Sequence, residues 1–159
     1  MWINDDGLIF MEQNKPSFFD IISNERLVRC FHPLSLDERF PVRIVSTGLR
    51  DIIMPISAPN VLETMVPDFN EISILSKEMK CIGIHCFALT ESDIDNASTA
   101  VCRNFAPLYG INEEAATGTS NCALACYLHN LGIRPQRYIF EQGHNLSSVS
   151  RIIVELKTD

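Results

Sequence analysis

Apolar and polar positions follow two rhythms along this 159-residue chain, and the places where the rhythm changes mark its elements. Leu8-Ile-Phe-Met-Glu-Gln is a short apolar run entered from Asp-Gly, which predicts a strand reached from a turn and closed by Pro16. Between Asp20 and Phe31 the apolar positions Ile21, Ile22, Leu27, Val28 and Phe31 fall on one face at helical spacing, predicting an amphipathic helix. Val42-Arg-Ile-Val-Ser and Arg50-Asp-Ile-Ile-Met read as two strands of a hairpin turning at Thr47-Gly48. Asp68 is set as the N-cap of a helix running to about Lys80, with Ile72 and Leu75 inward and Lys77 and Lys80 near its negative end. Cys81-Ile-Gly-Ile-His-Cys-Phe-Ala-Leu is nearly all apolar and too short for a typical helix, so it predicts a buried strand. Strands are also expected from Asn96 to Phe105, over Arg137-Tyr-Ile-Phe-Glu-Gln, and over Arg151-Ile-Ile-Val-Glu-Leu. Nothing repeats at a fixed period and no low-complexity linker intervenes, so residues 1–159 read as a single domain.

One segment has no polar face. Ser120 to Asn130, Ser-Asn-Cys-Ala-Leu-Ala-Cys-Tyr-Leu-His-Asn, is small or apolar all round. A helix of that kind has to be surrounded. Cys122, Ala123, Ala125 and Cys126 let neighbouring backbones approach, Gly132 supplies the stop, and His129 sits in the last turn. The economical architecture is α+β: a curved, mostly antiparallel sheet wrapped around this central buried helix.

Composition narrows the function classes. The chain is 46% hydrophobic and 21% charged, with 13 basic against 20 acidic side chains and a net charge of −7. A chain of this size buries about 68–70% of its unfolded surface, enough for one sizeable core. An acidic balance without a basic patch argues against nucleic acid as a partner. Met-Trp-Ile-Asn-Asp-Asp puts acids where a signal peptide carries cations, and the longest apolar run, Cys122–Leu128, falls far short of the ~20 residues needed to span a bilayer. The expectation is a cytoplasmic protein with no membrane partner. Six cysteines in apolar contexts read as small buried thiols rather than a disulfide framework. His32, His85, His129 and His144 lack metal-ligand spacing, so no metal site is expected, and His85 reads as a hydrogen-bonded core histidine. No nucleotide, dinucleotide or serine-nucleophile motif occurs, and no cofactor is called for.

The stretch that can carry chemistry is Asn112-Glu-Glu-Ala-Ala-Thr-Gly-Thr-Ser-Asn121, which feeds into the buried helix. A helix's first turn offers unpartnered backbone N–H groups and the positive end of its dipole. Gly118 permits close approach to that backbone, and Thr117, Thr119 and Ser120 add hydroxyl donors. Together they form a seat for a carboxylate or other anion, with Glu113 and Glu114 beside it to exchange a proton. Ordinary N-capping accounts for every residue of the stretch except Gly118.

In its setting the stretch resembles a known family. Arg103-Asn-Phe-Ala-Pro, then Gly110-Ile-Asn-Glu-Glu-Ala-Ala-Thr-Gly-Thr, then Gln142-Gly is similar to the phenazine-biosynthesis PhzF-like family, which is related in fold to diaminopimelate epimerase. Val45-Ser-Thr-Gly48, Pro67-Asp-Phe and the opening Met-Glu-Gln match the family's second half, so the resemblance covers the whole chain. It implies one of two similar halves with an active site in the cleft between them. It also implies isomerase or epimerase chemistry, moving a proton next to a small metabolite's carboxylate without a cofactor. By the motif match Glu114 takes the place of an acidic site residue, usually Asp, and Thr119 that of a substrate-contacting hydroxyl, often Ser. Backbone around Gly118 to Asn121 would hold the carboxylate. The first-half motifs, a Gly-Asn-Pro entry, a Ser-Glu base and Gly-His-Ala-Thr, are absent from this chain. Glu25 is in second-half register and is read as a surface acid rather than as that base. Two readings follow: an enzyme half completed by a second half, either a partner chain or a second copy in a homodimer, or a non-catalytic carboxylate-binding or structural module.

Overall fold

The computed structural model describes residues 1–91 and 97–157. In chain order the strands are β1 (Trp2–Ile3), β2 (Ile9–Phe10), β3 (Ser17–Ile21), β4 (Phe31–His32), β5 (Arg43–Ser46), β6 (Arg50–Pro55), β7 (Val66–Pro67), β8 (Gly83–Leu89), β9 (Ala100–Ala106), β10 (Ile111–Glu114), β11 (Tyr138–Gln142) and β12 (Ser150–Val154). The helices are α1 (Asn24–Leu27), α2 (Pro59–Thr64), α3 (Phe69–Met79) and α4 (Gly118–Asn130).

Eight strands form one mixed sheet: seven run in the order β12-β11-β9-β8-β6-β5-β3, and β10 adds to β9 off that path. Strand β9 is paired by β11 over Ala100–Cys102, and further along by β10 from Asn104 to Ala106. Its neighbours run antiparallel except β6 with β8 and β9 with β11, which are parallel. Parallel neighbours need a crossover, and here each crossover carries a main helix: α3 between β6 and β8, α4 between β9 and β11. Both crossovers step the same way along the sheet, but β9 runs opposite to β8. Crossovers of one handedness therefore put α3 and α4 on opposite faces.

Strand alternation sorts the side chains between those faces. Ile44, Ile52, Met54, Ile84, Cys86, Ala88 and Phe105 pack with Leu62 of α2 and with Ile72 and Leu75 of α3. Val45, Ile53, Phe87, Cys102, Tyr138 and Phe140 pack with Ala123, Leu124, Tyr127 and Leu128 of α4. Helix α4 touches β5 and β6 and, across the sheet, the edge strand β12. It is not sealed on every side, because Thr119, Cys122, Cys126 and His129 remain partly exposed.

Several expected elements form where the pattern put them. The β5–β6 hairpin pairs Ser46 with Arg50 around Thr47-Gly48. Asp68 caps α3 by accepting the Glu71 N–H at 3.0 Å, and β8 is buried almost throughout. Strand β9 begins at Ala100, whereas Asn96, where that strand was expected to start, lies outside the described residues.

The expected helix from Asp20 to Phe31 does not form as such. Ser17–Ile21 is a strand against β5, α1 covers only Asn24–Leu27, and Phe31 lies in β4. Ile21 is exposed while its neighbour Ile22 is buried, a period of two that a helical reading had merged into one face. Pairing with β5 satisfies this segment's backbone, which a short local helix could not do as fully. The expected strand from Leu8 shrinks to Ile9–Phe10, paired with Trp2–Ile3 in an exposed hairpin where Trp2 stacks on Phe10 at 5.7 Å. The short helix α2, with Pro59 in its first turn, and strand β10 were not anticipated.

Candidate active site

Strand β10 separates the two neighbouring glutamates. Glu113 points to the α2 face, where its oxygens accept from Arg103 Nε and Nη2, both at 2.9 Å. Arg103 also donates from Nη1 to the carbonyls of Leu62 and Met65, at 3.0 and 2.6 Å, and its guanidinium lies over the Phe105 ring. Both partners are nearly buried, with side chains 7% and 10% exposed. Glu113 is therefore a structural ion-pair partner that locks β9 to α2, and the expectation that it exchanges a proton is corrected. Arg103 is thereby held in a structural role.

Glu114 points to the other face, toward the start of α4. Its Oε2 accepts the Thr117 hydroxyl at 2.9 Å. Thr117 is the N-cap residue, yet it turns that hydroxyl to Glu114 and not to the amides of the first turn. The Asn121 N–H closes on the Thr117 carbonyl at 3.1 Å, so the turn's leading amides belong to Gly118, Thr119 and Ser120. Thr119 is held from behind by the Thr47 hydroxyl, which donates to its carbonyl at 3.4 Å. The place a side chain would take on Gly118 is met by the Met11 methyl, 2.8 Å from where a Cβ would stand. That methyl belongs to a flexible side chain that is half exposed.

Ser120 and Asn121 turn their side chains inward. The Ser120 hydroxyl donates to Asp51 Oδ2 at 2.9 Å and accepts from Asn104 Nδ2 at 3.2 Å. Asn121 donates from Nδ2 to Gln142 Oε1 and to the Thr117 carbonyl, both at 2.8 Å. Gln142 Nε2 in turn donates to the Glu114 carbonyl at 2.7 Å and to Thr117 Oγ1 at 3.0 Å. His85 joins the two arms: Asn104 Nδ2 lies 2.9 Å from its Nδ1, and Asn121 Oδ1 lies 3.2 Å from its Nε2.

These partners fix the direction of every bond. The Asn121 oxygen only accepts, so His85 Nε2 carries the proton and Nδ1 accepts from Asn104. Burial lowers the His85 pKa to about 4, which keeps the imidazole neutral as this arrangement requires. Two donor chains start from Asn104 and each ends on a carboxyl group. One runs through Ser120 to Asp51; the other runs through His85, Asn121, Gln142 and Thr117 to Glu114. A buried polar network satisfied in this way holds one geometry firmly.

The structure thus brings Glu114, Thr117, Gly118, Thr119, Ser120 and Asn121 to one place, and adds Asp51, Asn104 and Gln142 as supports. Asp51 was overlooked although the signal existed, because a carboxylate inside the apolar run Arg50-Asp-Ile-Ile-Met is expensive to bury without a partner. His85 proves to be the hydrogen-bonded core histidine expected of it. His144 lies elsewhere, lining a cavity of about 150 Å³ with Glu63 and Asn145 beside α2. Among the described residues no cluster of His, Cys, Asp and Glu could hold a metal ion, and no helix is long and apolar enough to cross a membrane.

A mixed α+β sheet with a helix start and a carboxyl at one end defines the class in which relatives are found. The family described as phenazine biosynthesis-like protein matches residues 4–159, and the chain belongs to that family. An uncharacterised isomerase of Clostridium acetobutylicum is 32% identical over 98% of this chain and 54% of its own length. An uncharacterised isomerase of Escherichia coli K12 is 25% identical over 93% of this chain and 51% of its own length. Among solved structures, a PhzF-family phenazine biosynthesis protein of Bacillus anthracis superposes with a TM-score of 0.79 at 27% identity, covering 96% of this chain and 54% of that one. A predicted epimerase of Pseudomonas aeruginosa shares the fold, with a TM-score of 0.72 at 23% identity over 92% of this chain and 50% of that one. The chain spans about half the length of the relatives it matches.

Proposed function

We propose that this chain forms one wall of a cofactor-independent isomerase site that moves a proton next to a substrate carboxylate. The observation that carries the reading is the Glu114–Thr117 contact at the mouth of α4. The N-cap hydroxyl holds a carboxyl group beside the helix start, while the amides of Gly118, Thr119 and Ser120 face the same end. A substrate carboxylate seated on those amides gains from the helix dipole. Glu114 then stands where it can give or take the proton on the adjacent carbon. Thr119 and Thr117 supply hydroxyl groups, Gly118 gives the close approach, and Met11 is pushed aside or packs on the bound molecule. The inward side chains of Ser120 and Asn121 make them supports for the seat.

A general base on the opposite wall comes from a second half, either a partner chain or a second copy of this one. The half coverage of its relatives supports that assignment. So do Trp2, Ile3, Ile9 and Phe10, large apolar side chains left exposed on the β1–β2 hairpin. In this reading the sheet curves around α4 to make one of two similar lobes. Support comes from α4 touching strands five places apart in the sheet order, about 24 Å if the sheet were flat.

The test is solvent-proton exchange. The chain, alone and with any first-half chain encoded beside it, is incubated with small carboxylates in deuterated water, and label at the adjacent carbon is followed by NMR. Exchange that is lost in Glu114→Ala supports the reading. Exchange no greater than that of Glu114→Ala in both settings overturns it.

A further inference from the structure

The first turn of α4 is gripped by two carboxyl groups. Glu114 is bound by Thr117, and Asp51 is bound by Ser120 three residues later, each hydroxyl donating at 2.9 Å. Residues three apart on a helix are neighbours, so the two grips share one turn of backbone. Glu114 is partly exposed, as a group meeting substrate must be, whereas Asp51 is 2% exposed and cannot touch one. We propose that Asp51 is a positioning residue for Glu114: through Ser120 it sets the first turn of α4, whose Thr117 hydroxyl holds the Glu114 carboxyl. This rests on the reading of Glu114 as the proton-transfer group.

The surroundings of Asp51 support a group that changes charge under ordinary conditions. In the sheet Val45 of β5 and Gly83 of β8 stand opposite it and offer no charge. From α4 it receives the Ser120 hydroxyl, and from β10 it feels Glu114. His85 on β8 is neutral, and the thiol of Cys81, just before that strand, is held protonated by burial. Arg50, next to it on β6, stacks on Phe19 and donates to the Met79 carbonyl. Burial raises the Asp51 pKa to about 7, the Ser120 bond opposes that rise, and Glu114 adds to it.

The bond through Ser120 carries the effect. An ionised Asp51 is a strong acceptor that holds Ser120, and with it the turn that carries Thr117. A protonated Asp51 holds Ser120 less tightly, and the turn beneath Glu114 slackens. Asp51 therefore keeps Glu114 in place with a grip that changes near neutral pH.

The experiment is a carboxyl-carbon and backbone-amide NMR titration of the 13C,15N-labelled chain from pH 3 to 9. In the wild-type chain the amide signals of Gly118 and Thr119 are expected to inflect at the pH where the Asp51 carboxyl titrates. Asp51→Asn removes that inflection. Ser120→Ala weakens it and moves it to higher pH, because the hydroxyl that favours the Asp51 charge and joins it to the turn is gone. Amide signals that do not follow Asp51 in the wild-type chain overturn the proposal without recourse to any variant, and an inflection unmoved by Ser120→Ala overturns the role of the hydroxyl. The curves report whether or not the chain turns over a substrate, so their failure is separate from failure of the isomerase reading.

Discussion

Helices α3 and α4 make opposite crossovers on one sheet, and their first turns are finished in opposite ways. Asp68 caps α3 from its own N-cap position, its carboxylate accepting the Glu71 N–H, so that end is closed by local chemistry. At α4 the N-cap residue Thr117 gives its hydroxyl to Glu114, and the turn is instead tied from behind through Ser120 to Asp51 and through Asn121 to Gln142 and His85. The faces differ in the same sense. On the face that carries α2 and α3 a buried charge pair, Arg103–Glu113, is matched oxygen for nitrogen, and its arginine also bonds two backbone carbonyls. Under α4 two carboxyl groups lie at the ends of a donor chain, neither facing a cation in that chain. The first arrangement is what stability favours. The second leaves Asp51 with its pKa raised by burial to about 7, and perturbed groups of that kind cluster at functional sites.

The comparison breaks most sharply at the two neighbouring glutamates. On the proposed isomerase reading, Glu114→Gln keeps the shape but removes the acid, and should lower solvent-proton exchange by about 10²–10⁴-fold with little change in stability. Glu113→Ala should do the reverse. It leaves Arg103 buried without its partner and should cost about 3–5 kcal/mol in urea unfolding. Were both substitutions to have the same effect, the division between a structural and a functional face would fail.

Asp51 gives the α4 face a pH response of definite sign. Its folded pKa of about 7 lies above its ordinary 3.8, so between those values the folded state binds the extra proton. Stability from this group is full below pH 4 and is lost as pH rises to about 7, with a limiting slope of about 1.4 kcal/mol per pH unit. Thermal unfolding of the wild-type chain compared with Asp51→Asn should show that slope as a difference between the two, relatively flat above pH 8. Asp37 shifts the opposite way, because its bond to Arg39 lowers its pKa, and it is common to both chains.

The two helix ends sharpen the contrast at smaller scale. Asp68→Ala removes a true cap and should destabilise the protein by about 1 kcal/mol. Gly118→Ala should change stability less, since the atom it meets is the movable end of Met11, but should weaken the binding of a small carboxylate measured by calorimetry.

Much of this was legible in the chain. The α4 segment announced a helix packed on the sheet by its apolar character, although Thr119, Cys122, Cys126 and His129 stay partly exposed, Asp68 announced α3, and the run from Cys81 announced β8. The Glu-Ala-Ala-Thr-Gly-Thr stretch located the candidate site because its residue types and spacing are local properties of a helix entry. Where the reading went astray, the deciding partner was distant. Ile21 and Ile22 fit a helix in isolation, and only β5 makes Ser17–Ile21 a strand. Glu113 and Glu114 carry the same side chain side by side, and nothing between them in sequence tells their roles apart.

What the sequence determined by itself was the set of elements whose signals are local: periodicity, caps and the glycine at a helix entry. What the tertiary structure decided was which face each side chain meets. Strand β10 sends Glu113 to Arg103 and Glu114 to Thr117, and the crossover handedness places α4 over Asp51, His85 and Asn104. A carboxylate's role depends on whether its neighbour is a guanidinium or a hydroxyl group. Arg103 is ten residues from Glu113, and Gln142, which orients Thr117 for Glu114, is farther still; both are brought within about 3 Å of their partners only when the sheet is assembled.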